Sequence, residues 1–163
     1  MLFRPILAIA ASFITLTSAW YCGSDNQGDI DQDARTQLFK AFQLELFSGD
    51  VSDAFAKYVS TDLIEHTSSA NSFGSDVGFL SALFPTVDIS TVGNDLTGCF
   101  RRDDGAPICT SHYKATPKAG VQGFIQNVTA ISDYYRYDGT CIVEHWDSTM
   151  TASATTSNPA FPG

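Results

Sequence analysis

The sequence predicts a single α+β domain in which helices come first along the chain and then pack on an antiparallel sheet. Its 163 residues fit one ordinary domain, and 44% hydrophobic with 17% charged residues is a balance typical of a packed core. Helical periodicity marks the first half. From Val87 onward, short runs rich in Ile, Val, Thr and Tyr alternate with turn residues, which favours strands.

The first residues have the layout of a secretory signal peptide. Arg4 precedes an apolar run over 6–16, and the small residues Thr17-Ser18-Ala19 follow. The run is too short to span a bilayer. We therefore expect residues 1–19 to be removed and the protein to be secreted to the extracellular space. Residues 20–150 should form the domain, and 151–163 an extended C-terminal tail.

Three helices are expected before the sheet. Asp31 or Asp33 can cap a first helix over 34–47, Asp50 can cap a short second one, and a third is expected over 76–83. The first helix shows the three-and-four spacing of an amphipathic helix, with apolar residues at Leu38, Phe39, Phe42 and Leu46. Four strands should follow, near residues 88–100, 107–114, 124–137 and 141–149.

The net charge of −9 restricts the partners. An acidic surface repels nucleic-acid phosphates and anionic lipids, so we expect neither a nucleic acid nor a membrane as a partner.

An even number of cysteines in an oxidising compartment predicts two disulfides, for which three pairings are possible. A hairpin bent near Asp104 would place two of them opposite each other and favours Cys99–Cys109, which leaves Cys22–Cys141. Their spacing is unlike that of a zinc site. Asn127-Val128-Thr129 is an acceptor sequence for N-glycosylation, which in a secreted chain indicates an exposed segment.

Residues 131–147 predict a hairpin bent at Asp138-Gly139, and two registers are open. A two-residue turn pairs Tyr137 with Thr140 and separates the acidic residues of the two strands onto opposite faces. A three-residue loop pairs Arg136 with Thr140 instead. We favour the loop because it gathers chemically active side chains on one face, namely Asp133, Tyr135, Val143, His145 and Asp147.

Three segments resemble the SnoaL-like polyketide cyclases of the nuclear transport factor 2-like superfamily. The string R-x-D-G-x-x-I-V-E-H-W-D over 136–147 resembles their C-terminal hairpin. Residues 57–66 resemble their second-helix segment, which ends in a histidine, here His66. Ser111-His112-Tyr113 resembles their strand that carries a histidine.

The resemblance implies a cone-shaped, curved antiparallel sheet covered by N-terminal helices, the cystatin-like α+β barrel, with a pocket for a small, largely apolar molecule. It implies a cyclase, isomerase or dehydratase that uses an aspartate as acid and base and needs no cofactor or metal. Two alternatives stay open: a carrier that binds a hydrophobic metabolite without turning it over, and a secreted interaction protein. A homodimer through the outer face of the sheet is also expected.

The resemblance also assigns site residues. Asp147 would be the principal acid and base, because burial raises the pKa of a carboxyl group and lets it exchange protons near neutral pH. The assisting residues would be Asp133, His66, His112 and His145. The pocket walls would include Tyr58, Tyr135, Val143 and Trp146.

Overall fold

The computed structural model describes residues 21–23, 28–88 and 97–151. The predicted signal peptide lies outside the described residues. The predicted tail does too, except for Thr151, which ends the last strand.

Three helices form where the sequence predicts them. The Asp31 side chain accepts a hydrogen bond from the Ala34 amide at 2.8 Å, which sets the start of the first helix. Asp50 stands at the predicted N-cap position of the second helix, but its side chain makes no capping hydrogen bond. The third begins earlier than predicted because Ser72 and Ser75 form a capping box. The helices are α1 (Gln32–Phe47), α2 (Val51–Tyr58) and α3 (Phe73–Leu83), and a 3₁₀ turn (Phe84–Thr86) follows.

Within residues 21–23, 28–88 and 97–151, six strands form one curved, open sheet in the order β1-β6-β5-β4-β2, and β3 also pairs with β4. This confirms the predicted α+β class. Strand β1 was not predicted, and it runs parallel to β6, so the sheet is mixed where a wholly antiparallel one was expected. The strands are β1 (Val59–Glu65), β2 (Val87–Asp88), β3 (Gly98–Arg101), β4 (Pro107–Pro117), β5 (Thr129–Asp138) and β6 (Cys141–Thr151).

The hairpin of β5 and β6 differs in register from the one predicted. Arg136 lies opposite Glu144 and not Thr140, so the predicted three-residue loop is wrong. The turn is shorter, with Gly139 at φ +54°, and a register shift in β6 leaves Val143 without an opposite residue. Because this bulge adds one residue, the side chains beyond it return to the face that the longer loop predicted. That face carries Asp133, Tyr135, His145 and Asp147.

Helix α1 packs its predicted apolar stripe against the sheet. Phe39 and Phe42 are fully buried, and their ring centres lie 5.3 and 5.5 Å from that of Tyr135 on β5. Burying a side chain of this size stabilises the fold by about 1.5–3 kcal/mol. The helix therefore fixes the part of β5 from which the site is built.

Both predicted disulfides form. Cys99–Cys109 joins directly opposed residues of β3 and β4. Cys22–Cys141 ties the segment before α1 to the first residue of β6, and the Cys22 amide donates to the Lys57 carbonyl at 2.7 Å. The beginning of β6 is thus anchored from outside the sheet. Within the described ranges, none of the helices has the length and apolar character needed to cross a membrane.

Candidate active site

A cavity of about 580 Å³ lies between the inner face of the sheet, helix α3 and residues 124–127, which precede β5. Its volume is in the range of small-molecule sites. Most of the wall is apolar, formed by Phe55, Phe79, Leu80, Leu83, Phe84, Phe124, Ile125 and Ile131.

One side of the cavity is polar and is formed by neighbouring residues of β5 and β6. Asp133 lies opposite Asp147, and Tyr135 lies opposite His145, so cross-strand pairing brings all four side chains to the cavity. Asp133 and His145 are buried, whereas the Asp147 side chain is exposed. The predicted grouping of two aspartates, one histidine and one tyrosine therefore exists as a geometric cluster.

His145 is held on three sides. Its Nδ1 lies 2.9 and 3.1 Å from the two carboxylate oxygens of Glu65, and its ring stacks on Tyr135 with centres 4.4 Å apart. Its Nε2 lies 3.7 Å from Asp133 Oδ1, which is too long for a hydrogen bond. Burial disfavours the cationic ring, but the negative charge of the nearby Asp133 carboxylate, together with the hydrogen bond to Glu65 and the charge of Glu65, outweighs burial and raises the pKa of His145 to about 10. At neutral pH the ring is cationic, and its buried Nε2–H has no partner among the described residues.

A buried pair of carboxyl groups lies behind His145. Asp76, in the first turn of α3, is 4% exposed. Burial is the largest cause that raises the pKa of Asp76, and its interaction with the negatively charged Glu65 raises it further, to about 8. Burial would also raise the pKa of Glu65, but its hydrogen bond with His145 and the charge of that ring lower it. At neutral pH, Asp76 is therefore a neutral donor and Glu65 a carboxylate acceptor.

The remaining polar groups of the cavity differ in whether they can give up or take a proton near neutral pH. Burial, and then the negative charge of Asp133, raise the pKa of Asp147, so this carboxylate is a stronger base than an ordinary aspartate. Burial raises the pKa values of Tyr113 and Tyr135 well above the usual range, which keeps both hydroxyls protonated. The Tyr135 hydroxyl donates to Asp133 Oδ2 at 3.4 Å. The cavity thus combines an exchangeable base, a cationic donor and fixed hydroxyls.

His66 and Trp146 do not reach the cavity. The His66 ring stacks on the Trp146 ring with centres 5.0 Å apart, and its Nε2 is hydrogen-bonded to Glu144 Oε1 at 2.8 Å. Trp146 lies between His145 and Asp147 on β6, and alternation along the strand directs it to the other face. His66 and Trp146 were predicted as site residues, and their placement on the outer face of the sheet takes both out of the cavity.

His112, Tyr58 and Val143 are also outside the cavity wall. His112 is paired with Ser132 on the face of the sheet opposite Asp133, and its Nδ1 is hydrogen-bonded to Ser132 Oγ at 2.8 Å. Tyr58 is buried in the hydrophobic core, and Val143 occupies the bulge. Asn127 is exposed and lines the cavity, so its predicted glycosylation would place a glycan there.

Two contributors were missed in the sequence. Glu65 ends a strand that was assigned to a helical segment, and Asp76 was treated only as the start of a helix. Glu65, Asp76 and His145 also bring one nitrogen or oxygen atom each within 4.8 Å of one another. The cationic His145 ring and the protonated Asp76 do not favour a bound cation there, and the hydrogen bond between His145 and Glu65 accounts for the closeness of these two residues.

Comparison with known proteins shows which solved structures share the fold of this chain. No family model matches the chain, and no curated protein does. Among solved structures, TsrD from Streptomyces laurentii matches with a TM-score of 0.54 at 12% identity, over 74% of this chain and 91% of that one. A protein described as a SnoaL-like polyketide cyclase from Shewanella denitrificans OS-217 matches with a TM-score of 0.51 at 16% identity, over 71% and 90%. The chain therefore has the SnoaL-like, nuclear transport factor 2-like fold that its motifs resemble.

Proposed function

We propose that this chain is a secreted enzyme that needs no cofactor and transfers a proton on a small, largely apolar carbonyl compound. The observation that carries the proposal is the cluster of Asp133, His145 and Asp147 on one side of a cavity whose wall is mostly apolar. Such a site holds an apolar body and presents polar groups to one end of it. A solved protein of the same fold is described as a polyketide cyclase, which supports this class of reaction.

The reaction follows from the protonation states. The Asp147 carboxylate removes a proton from the carbon next to the carbonyl group, and the electrons of the broken C–H bond move toward the carbonyl oxygen. The product is an enolate, whose oxygen accepts a hydrogen bond from His145 Nε2–H. Return of the proton from Asp147 to another carbon of the conjugated system isomerises the compound. Alternatively, the enolate carbon attacks a second carbonyl carbon and closes a ring, and the oxygen of that carbonyl takes the proton from Asp147. General acid–base catalysis of this kind contributes about 10²–10⁴-fold.

Deuterium exchange tests the chemistry without knowledge of the natural substrate. A panel of small cyclic ketones and diketones is incubated with the protein in deuterium oxide, and loss of the α-proton signal is followed by NMR. We expect the protein to accelerate exchange and Asp147→Asn to reduce the rate by about 10²-fold or more. Asp62→Asn, on an exposed position of β1, is the matched control and should behave as the unchanged protein.

The outcomes separate the proposal from its alternatives. Equal exchange by the protein and by Asp147→Asn would refute the role of that carboxylate. If ligands from the panel broaden or shift cavity resonances and no exchange occurs in either protein, a carrier replaces the enzyme. If no ligand binds, the cavity is not a ligand site.

Export has a separate test. The N-terminal layout and the two disulfides support secretion, because disulfides persist in oxidising compartments. Mass spectrometry of protein recovered from a culture medium should give a chain that begins at Trp20. A chain that remains inside the cell with Met1 in place would contradict the proposal.

A further inference from the structure

We infer that Glu65 and Asp76 are positioning residues, which hold His145 in one orientation so that its Nε2–H donates to the ligand's oxygen. The inference rests on the proposed function, because it gives His145 a task in that reaction. It adds two residues from outside the hairpin, one at the end of β1 and one in the first turn of α3.

The contacts of Glu65 fix the ring. Both of its carboxylate oxygens lie within 3.1 Å of the same nitrogen, His145 Nδ1. An imidazole held at Nδ1 by a carboxylate is fixed in direction, so the other ring nitrogen, Nε2, points to a defined place. Stacking on Tyr135 removes the remaining freedom to tilt. The Glu65 side chain is fully buried, so water does not compete for the Nδ1 contact.

Asp76 completes the arrangement from the helix side. A carboxyl oxygen of Asp76 lies within 4.8 Å of one of Glu65, and the interaction between the two groups raises the pKa of Asp76. Glu65 also accepts from the Thr67 amide at 3.0 Å. A donor on the far side of a carboxylate keeps that carboxylate from rotating away from the ring. The capping box of Ser72 and Ser75 fixes the first turn of α3 and therefore fixes Asp76.

The surroundings keep the ring cationic. The titratable groups around His145 come from every element packed on it: Glu65 from β1, Asp76 from α3, Asp133 and Tyr135 from β5, and Asp147 from β6 itself. Only carboxyl groups and a phenol face it among the described residues, and two of the carboxylates are in ion-pair range. A cationic ring is a donor and not a base, which leaves proton removal to Asp147.

NMR of protein labelled with ¹⁵N histidine tests the inference directly. In the unchanged protein, His145 should be protonated on both nitrogens at pH 7 and should stay so at pH 8. Glu65→Gln should lower its titration midpoint by roughly 1–3 pH units, the range for loss of one opposite charge. The outer face supplies a control, since Glu144 is hydrogen-bonded to His66 there. Glu144→Gln should leave the titration midpoint of His145 unchanged.

Two Asp76 variants separate positioning from charge. Asp76→Asn keeps a donor to Glu65 and should retain the His145 signals, whereas Asp76→Ala removes the donor and should broaden or split them. In the exchange assay, Glu65→Gln and Asp76→Ala should lower kcat by about tenfold or more with little change in KM, and Asp76→Asn should restore most of the rate.

Several results would overturn the inference. A neutral His145 ring at pH 7 in the unchanged protein would overturn it, and this measurement does not depend on whether any variant folds. An unchanged His145 midpoint in Glu65→Gln would also overturn it. If the NMR results hold but no protein in the series exchanges protons, the proposed function fails and the positioning stands. If exchange occurs but the His145 signals do not change in Glu65→Gln, the positioning inference fails and the proposed function stands.

Discussion

Replacing Asp76 with asparagine should stabilise the folded protein, and the gain should grow as the pH rises. The side chain is almost completely buried, and its pKa is raised from 3.8 to about 8 on folding. Between these values the folded chain holds a proton that the unfolded chain has released. Stability linked to this group is therefore full below pH 3.8 and is lost progressively as the pH rises to about 8. Asparagine donates to Glu65 as the protonated acid does, and it never ionises.

The size of the gain follows from the same two values. One pH unit of difference is worth about 1.36 kcal/mol, so the full window corresponds to an upper bound of about 5–6 kcal/mol. Relaxation and entry of water reduce the cost of a buried charge, and we expect about 2–3 kcal/mol at pH 8.5. At pH 4.5 the gain should be below about 1 kcal/mol, because little of the window has then been crossed.

Urea unfolding of both proteins at pH 4.5 and pH 8.5, with the disulfides intact, measures the difference. The free energies of unfolding are compared at each pH, and Asp53→Asn, on the exposed side of α2, corrects for a general effect of removing a negative charge. A gain of the same size at both pH values would refute the reasoning, since it would show that Asp76 does not hold a proton in the folded protein.

Three further predictions concern packing, the disulfide and the helix cap. Phe42→Ala should cost about 3–5 kcal/mol of unfolding free energy, measured in urea, whereas Leu44→Ala on the exposed side of α1 should stay within about 0.5 kcal/mol; equal losses would contradict the packing described. Removing Cys22–Cys141, which spans 119 positions, in a double serine variant should lower stability by about 2–5 kcal/mol, and an unchanged urea midpoint would count against its role as an anchor. Ser72→Ala should cost about 1 kcal/mol in thermal unfolding, and glycine there should recover part of it; no loss would argue against the cap.

The sequence predicted the helices and most strands because their patterns are local. Apolar spacing located α1, and the acceptor oxygen of Asp31 marked its start. The turn near Asp104 was enough to predict that Cys99 and Cys109 lie opposite each other on neighbouring strands. Strand β1 was missed because it continues directly from α2 with no turn residue between them, and its partner, β6, is remote in the chain.

The polar cluster was predicted in part, and for an instructive reason. Alternation within each strand grouped Asp133 with Tyr135 and His145 with Asp147, but relating the two pairs needed the register. The predicted loop was wrong, and the bulge at Val143 restored the same face, which no local pattern shows.

The misplaced and missed residues share one cause. The side of the sheet taken by His112 depends on its pairing with β5, and Asp76 becomes a partner of Glu65 only through the packing of α3 on β1. These are tertiary facts, and spacing along the chain does not contain them.

The pairing of β1 with β6 has a consequence for how the protein folds. Glu65 and His145 meet across 80 positions of sequence, and we expect a contact of such long range to close after the local helices and hairpins have formed. The imidazole should therefore become oriented late in folding. A population that is arrested before this step would show the spectrum of a helical and β-rich chain and yet have no organised site. Ligand binding is for this reason a stricter measure of complete refolding than circular dichroism.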